Sequence, residues 1–375
     1  MPRPPSPLPD ELGDAFTRAD GLAAGVTARR LRAKDLESPF HGVRQRPVAE
    51  PRRAAASARQ PQWAAEATRT GEGSRATEAR RTGEAQRAAE AARAGEGTHG
   101  DAVESSPPLA VDRMTRKAVL RRARAYREVM AEQAFFVGRS AAVAYGLPIA
   151  HSGELEVGVR APATAPRGRG IRGIKVQPAF VHVRDHEGLR MSSPASTWAM
   201  LGRELSVREL VIVGDAVVRI PRDDRGRPQP DEQLATIAQL QRAVQAGPRR
   251  GVERLREALV HIRVGSSSPL ETEYRLDAAT AGLPEPELDV AIRDRHGALL
   301  GVTEVVYREQ RTLVEIEGDH HRTDKRQWDR DIEKYAAYVA EGWEVVRLTA
   351  RHIRGRHPRA AGMVGDVLAR RAQRP

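Results

Sequence analysis

The sequence predicts an α+β multidomain protein, and three observations predict it. Its 375 residues exceed the ~100–200 that one domain usually takes. A low-complexity tract at 49–112 separates two stretches of globular pattern. The stretch 265–375 then runs α-β-β-β-α-β-α, with helix and strand periodicities in turn.

Residues 8–48 read as a small module. Thr17 offers a helix cap with Asp20 three positions on. The helix "RADGLAAG" stops at Gly25, Thr27 caps a second helix "ARRLRAKDL", Ser38-Pro39 breaks it, and "FHGVR" forms a short strand. This is the pattern of a winged helix-turn-helix. Arg29, Arg30, Arg32 and Lys34 on the second helix are candidates for DNA phosphates or base edges. The plainer reading is a solvated basic helix.

Within 49–112, Glu66, Glu78 and Glu90 recur every 12 residues, as do Arg69, Arg81 and Arg93. The tract has almost no large apolar residues to offset the entropy of ordering, so a disordered linker is expected. Residues 113–264 form a mixed α/β middle domain. A basic helix, "TRKAVLRRARAYREVMAEQ", opens it. Then come "FFV", a Ser-capped helix, strands at "LEVGVR", "IKVQPAFVHVR" and "GLRMSS", and helices at "PASTWAMLGREL" and "SVRELVIVGDAVVR". Ser206 and Glu209 make a capping box. Two helical runs lie in 232–262. Asp215 reads as a helix-face acid rather than a site residue.

In 265–375, Ser268 caps "PLETEYRLDAATAG", with Pro269 at its first position and Gly282 at its end. "LDVAIRD", "LLGVTEVVY" and "RTLVEIEG" are strands. The helix "DKRQWDRDIEKYAAYVAEG", the strand "WEVVRLT" and a final helix complete the unit.

Composition bounds the partners. The net charge of +12 and a sequence pI near 10.6 point to an anion. From Gly265 onward, 18 basic residues face 19 acidic ones, so the excess lies before it. Only five lysines stand among the 62 basic residues, the arginine bias of a GC-rich genome. With no cysteine, thiolate metal sites and disulfides are excluded. No apolar run reaches membrane-spanning length and no signal-peptide pattern opens the chain, so the expected location is cytoplasmic.

The chemistry concentrates at one hairpin. A four-residue loop, 308–311, would set Tyr307 opposite Thr312 and Glu304 opposite Glu315. Alternation would then gather Glu304, Glu315 and Glu317 on one face. Opposed like charges destabilise a strand pair unless a cation or a proton intervenes. Hard oxygen ligands suit Mg²⁺ or Mn²⁺, and such an ion could activate water against a phosphodiester. His320 and His321 follow on the turn as candidate acids or bases, and Glu271 could join as a further ligand or base. The plainer reading is a half-exposed strand carrying solvated acids before a polar loop.

The residues "SPLET…AGLPEPELDV" and "VEIEGDHHRTDKRQWDRDIEKYAAYVAEGWEVVRLT" resemble the very-short-patch-repair-like endonuclease domain, domain of unknown function 559, of the PD-(D/E)XK nuclease superfamily. The likeness covers about 265–355. It implies a restriction-endonuclease-like αβββαβ core, a DNA endonuclease activity, and Glu271, Glu315, His320 and His321 as site residues. Glu304 stands at the superfamily's Asp on the preceding strand. Asp331, Gly342, Trp343 and Arg347 match its framework. The family usually has Asp where this chain has Glu304 and Glu317, and Arg where it has Lys334. The N-terminal "FTRADGLAAGVTARRLRAKDLESPFHGVR" is similar to the winged helix of AbiEi-type abortive-infection antitoxins, which implies DNA and a toxin as partners. The competing expectation is a DNA-binding regulator of antitoxin type whose nuclease has decayed.

Overall fold

The computed structural model describes residues 5–47, 113–223, 225–317 and 325–373, which belong to one compact unit of mixed α and β structure. The repeat tract at 49–112, His320 and His321 lie outside the described residues.

The first segment pairs β1 (Ala15–Thr17) with β2 (Val43–Gln45), antiparallel, around the helix α1 (Arg18–Ala23). Thr17 caps α1 as expected, accepting from the Asp20 amide at 3.0 Å while Asp20 reaches back to the Thr17 amide. The second helix differs from expectation. Over 28–36 the backbone makes only one 3-10 turn, Arg30–Arg32, and is extended by Ala33. Leu31 is buried against Phe16 and Leu36, and Arg30 is drawn back onto the Ser6 carbonyl and Asp35. Those tertiary contacts replace the i→i−4 ladder, so the recognition helix of a helix-turn-helix is not formed there.

The middle segment opens with α2 (Arg113–Arg127) and builds a five-stranded sheet, β5-β4-β3-β7-β6. Its strands are β3 (Phe135–Phe136), β4 (Leu155–Arg160), β5 (Ile171–Val176), β6 (Val183–His186) and β7 (Leu189–Ser192). The helix α3 (Gly138–Ala144) follows β3, but Val137, not a serine, precedes it. Four further helices close the layer: α4 (Pro194–Leu201), α5 (Val207–Val218), α6 (Ile237–Gln245) and α7 (Val252–His261). Ser193, Ser206 and Thr236 cap the first three through their hydroxyls. Trp198, fully buried, anchors the shared core and donates to the Leu210 carbonyl at 2.9 Å.

The last segment runs α8 (Pro269–Thr280), β8 (Glu287–Arg293), β9 (Leu299–Tyr307), β10 (Thr312–Glu317), α9 (Lys325–Ala340), β11 (Glu344–Thr349), α10 (Ala350–Arg354) and α11 (Ala360–Ala372). The sheet order is β11-β10-β9-β8; β10 pairs antiparallel with β9 and parallel with β11 across the α9 crossover. One face packs Val305, Tyr307, Val314 and Leu348 against α8 and α11. The other packs Val306 and Leu313 against Tyr338 of α9. The pairs Thr312–Tyr307, Leu313–Val306 and Val314–Val305 carry the expected hairpin register.

Candidate carboxylate site

Alternation does not hold at the site. Leu288 and Val305 pack toward α8, yet Val290 and Thr303, two positions along each strand, serve the α9 side. Asp289 lies at the break with φ +53°, a left-handed backbone that a non-glycine seldom adopts. The residue sharing Glu315's face is therefore Thr303. Its hydroxyl donates to Glu315 at 2.9 Å and lies 3.2 Å from the Tyr338 hydroxyl. Glu304 falls at the break, opposite Asp289, rather than on a continuous acidic face.

Glu315 is buried, and Lys334 of α9 is its cation. The ammonium donates to both carboxylate oxygens, at 3.0 and 3.1 Å, and to the Val302 carbonyl at 3.1 Å. Its three protons thus meet three acceptors. Burial depresses the lysine's pKa, but Glu315, Tyr338 and Glu304 together outweigh it and the net direction is upward. Lys334 was a framework difference in the sequence and not a site candidate. The signal was available: it falls on the same helix face as Tyr335 and Tyr338, where an unpaired ammonium would be costly.

Glu304 is half-buried, but its Oε2 is enclosed and has no hydrogen-bond partner. Burial raises its pKa, and the charges of Glu315 and Glu271 raise it further. Glu271 sits in the first turn of α8. Its Oε2 accepts from the Ser267 amide at 2.6 Å, and its own amide donates to the Ser268 hydroxyl at 3.3 Å. Burial lifts its pKa to about 7, against the Ser267 amide bond, the Ser268 hydroxyl beside the carboxylate and the field of Arg219. The structure thus brings Glu271, Glu304 and Glu315 into one electrostatic neighbourhood. Glu317 is held apart: its Oε1 accepts from Arg347 at 2.7 and 3.0 Å and from the Tyr335 hydroxyl at 3.4 Å.

No family model matches this chain, and no curated protein or solved structure is similar to it. Among the described residues, no group of three or more His, Asp or Glu side chains stands close enough to hold a metal ion as arranged. Among them, too, no helix is long and apolar enough to cross a membrane.

The remaining candidates sort by their contacts. Arg29, Arg32 and Lys34 are exposed, while Arg30 is bound to Asp35 at 2.8 Å. Asp215 is a buried strut, as its helix-face position suggested. It accepts from the Arg263 amide, the Thr272 hydroxyl and Arg275, each at 2.8 Å. A Ser140–His151 contact of 3.0 Å resembles a nucleophile pair, but its protons run the wrong way. The Gly153 amide donates to Nδ1, so Nε2 carries the hydrogen and donates to Ser140. Burial and two nearby arginines hold that imidazole neutral, with a pKa lowered to about 4.

Proposed function

We propose that the chain is a DNA-binding, metal-dependent phosphodiester hydrolase with Glu271, Glu304 and Glu315 at its chemical centre. The observation that carries the reading is Glu304 Oε2: a buried carboxylate oxygen without a partner, in the field of two other carboxylates. Such an oxygen calls for a proton or a cation. Mg²⁺ or Mn²⁺ fits, because the donors are hard oxygens and their mutual repulsion would reverse in the ion's field. Bound there, the ion would supply charge stabilisation for the phosphodiester and a more acidic water. Glu271, with a pKa of about 7, can take or give a proton at neutral pH. Lys334 fixes Glu315 in place and keeps a positive charge beside the reacting region. His320 and His321, close in sequence to Glu315, remain candidate acids or bases. The αβββαβ order of the last segment is the order the nuclease resemblance implies, which supports the reading. Phosphate affinity would come from the basic N-terminal part, including Arg29, Arg32 and Lys34.

The test is nicking of supercoiled plasmid with Mg²⁺ or Mn²⁺ by the full chain and by Glu304→Gln, which is nearly isosteric. Loss of nicking in the variant supports the assignment, and equal nicking overturns it.

One observation favours a second reading, a non-catalytic DNA-binding regulator of antitoxin type. Lys334 already covers both oxygens of Glu315, and Arg347 covers Glu317. On that reading the lysine has replaced the ion. Calorimetry would then find salt-sensitive DNA binding and no heat with Mg²⁺.

A further inference from the structure

A cavity of about 440 Å³ opens on the other side of the α8 start, between α5 and the Ser266–Pro269 turn. Three features of its wall belong together. Ser266 is buried, with 3% of its surface exposed, and its hydroxyl has no hydrogen-bond partner. Arg219 lines the same cavity, and its Nε is likewise buried without a partner. Ser268, on the same wall, caps α8 by accepting from the Glu271 amide, and its hydroxyl also lies by the Glu271 carboxylate. A guanidinium and a buried, unpartnered hydroxyl at the positive end of a 12-residue helix form an anion cradle. Leaving these groups unsatisfied would be costly, so a ligand that satisfies them gains what the empty site forfeits.

The rest of the wall selects among anions. Tyr145, Leu147, Pro148, Ile212 and Leu234 offer an apolar surface too large for inorganic phosphate alone. Glu232 stands on the wall as an acceptor with no basic partner among the described residues, suited to sugar hydroxyls. The volume falls within the range of small-molecule sites.

We propose that this cavity binds a nucleoside 5′-monophosphate. The phosphate would lie on Arg219 and Ser266 at the start of α8, the ribose toward Glu232, and the base against Tyr145 and Leu147. The cavity adjoins Glu271, whose amide donates to Ser268 and whose carboxyl feels Arg219, but nucleotide binding there does not depend on the hydrolase reading.

Isothermal calorimetry on the full chain tests it with adenosine 5′-monophosphate, inorganic phosphate and adenosine. The nucleotide should bind one to one with a Kd below about 1 mM, and at least about tenfold more tightly than either fragment. Arg219→Gln should weaken it by about tenfold or more, the loss expected for one charge-assisted hydrogen bond. Ser266→Ala removes a buried hydroxyl that no protein group uses, so the thermal melt of the free protein should rise or hold while nucleotide affinity falls several-fold. No heat with the nucleotide at about 10 mM, or unchanged affinity in Ser266→Ala, overturns the proposal. If phosphate binds as tightly as the nucleotide, the assignment of the base and ribose is overturned.

Discussion

Replacing Glu271 by Gln should change how stability depends on pH. The carboxyl is 5% exposed and its folded pKa is about 7, against an ordinary 4.5. The folded value is the higher one, so between the two the native state holds a proton that the unfolded chain has released. Glu271 therefore contributes most to stability below pH 4.5, and that contribution is lost as pH rises through 7. A separation of about 2.5 pH units at 1.36 kcal/mol each amounts to about 3 kcal/mol by pH 8. The Gln variant keeps an oxygen for the Ser267 amide and has nothing to titrate. In urea unfolding without divalent metal, wild type should lose about 2.5 kcal/mol relative to Glu271→Gln between pH 5 and 8.5. Parallel stability profiles over that range would refute the buried, proton-retaining carboxyl.

Lys334→Met leaves Glu315 buried without its cation and should cost about 3 kcal/mol at pH 7, read from urea midpoints. Adding Glu315→Leu to that variant should recover more than half of the loss, because no uncompensated charge remains. Glu304→Gln should raise the melting temperature of the metal-free protein at pH 8, since it removes a charge repelled by Glu271 and Glu315; scanning calorimetry reads this directly. Substituting Arg29, Arg32 and Lys34 together by Ala should flatten the log–log dependence of DNA affinity on salt by up to about 2.7, at ~0.9 for each phosphate no longer neutralised. Fluorescence anisotropy across a salt series measures the slope.

What the sequence made legible was local. The hairpin register followed from a four-residue loop between two alternating strands, and the caps at Thr17, Ser206 and Ser268 followed from residue spacing. Less was legible where tertiary contacts override local pattern. The run 28–36 has helical composition, yet Leu31 and Arg30 satisfy themselves elsewhere and leave one 3-10 turn. The site suffered most from Asp289. Its left-handed backbone carries no clear signature in "ELDVAIR", and it moves Thr303 onto the face where alternation puts Glu304. The Lys334–Glu315 pair spans 19 residues and depends on which face of α9 meets the sheet. Tyr335 and Tyr338 beside that lysine were the only hint.

The Asp215 strut has a consequence for dissecting the chain. Asp215 belongs to α5, while Thr272, which donates to it, and Arg275, which neutralises it, belong to α8. Cutting anywhere between His261 and Ser268 would leave one fragment with an enclosed, unmatched carboxylate. The other fragment would carry an orphaned guanidinium from the side of its first helix. Neither piece is a natural expression unit, whatever a boundary drawn near residue 265 suggests. The two halves should melt in a single transition, each acting as the other's counterion.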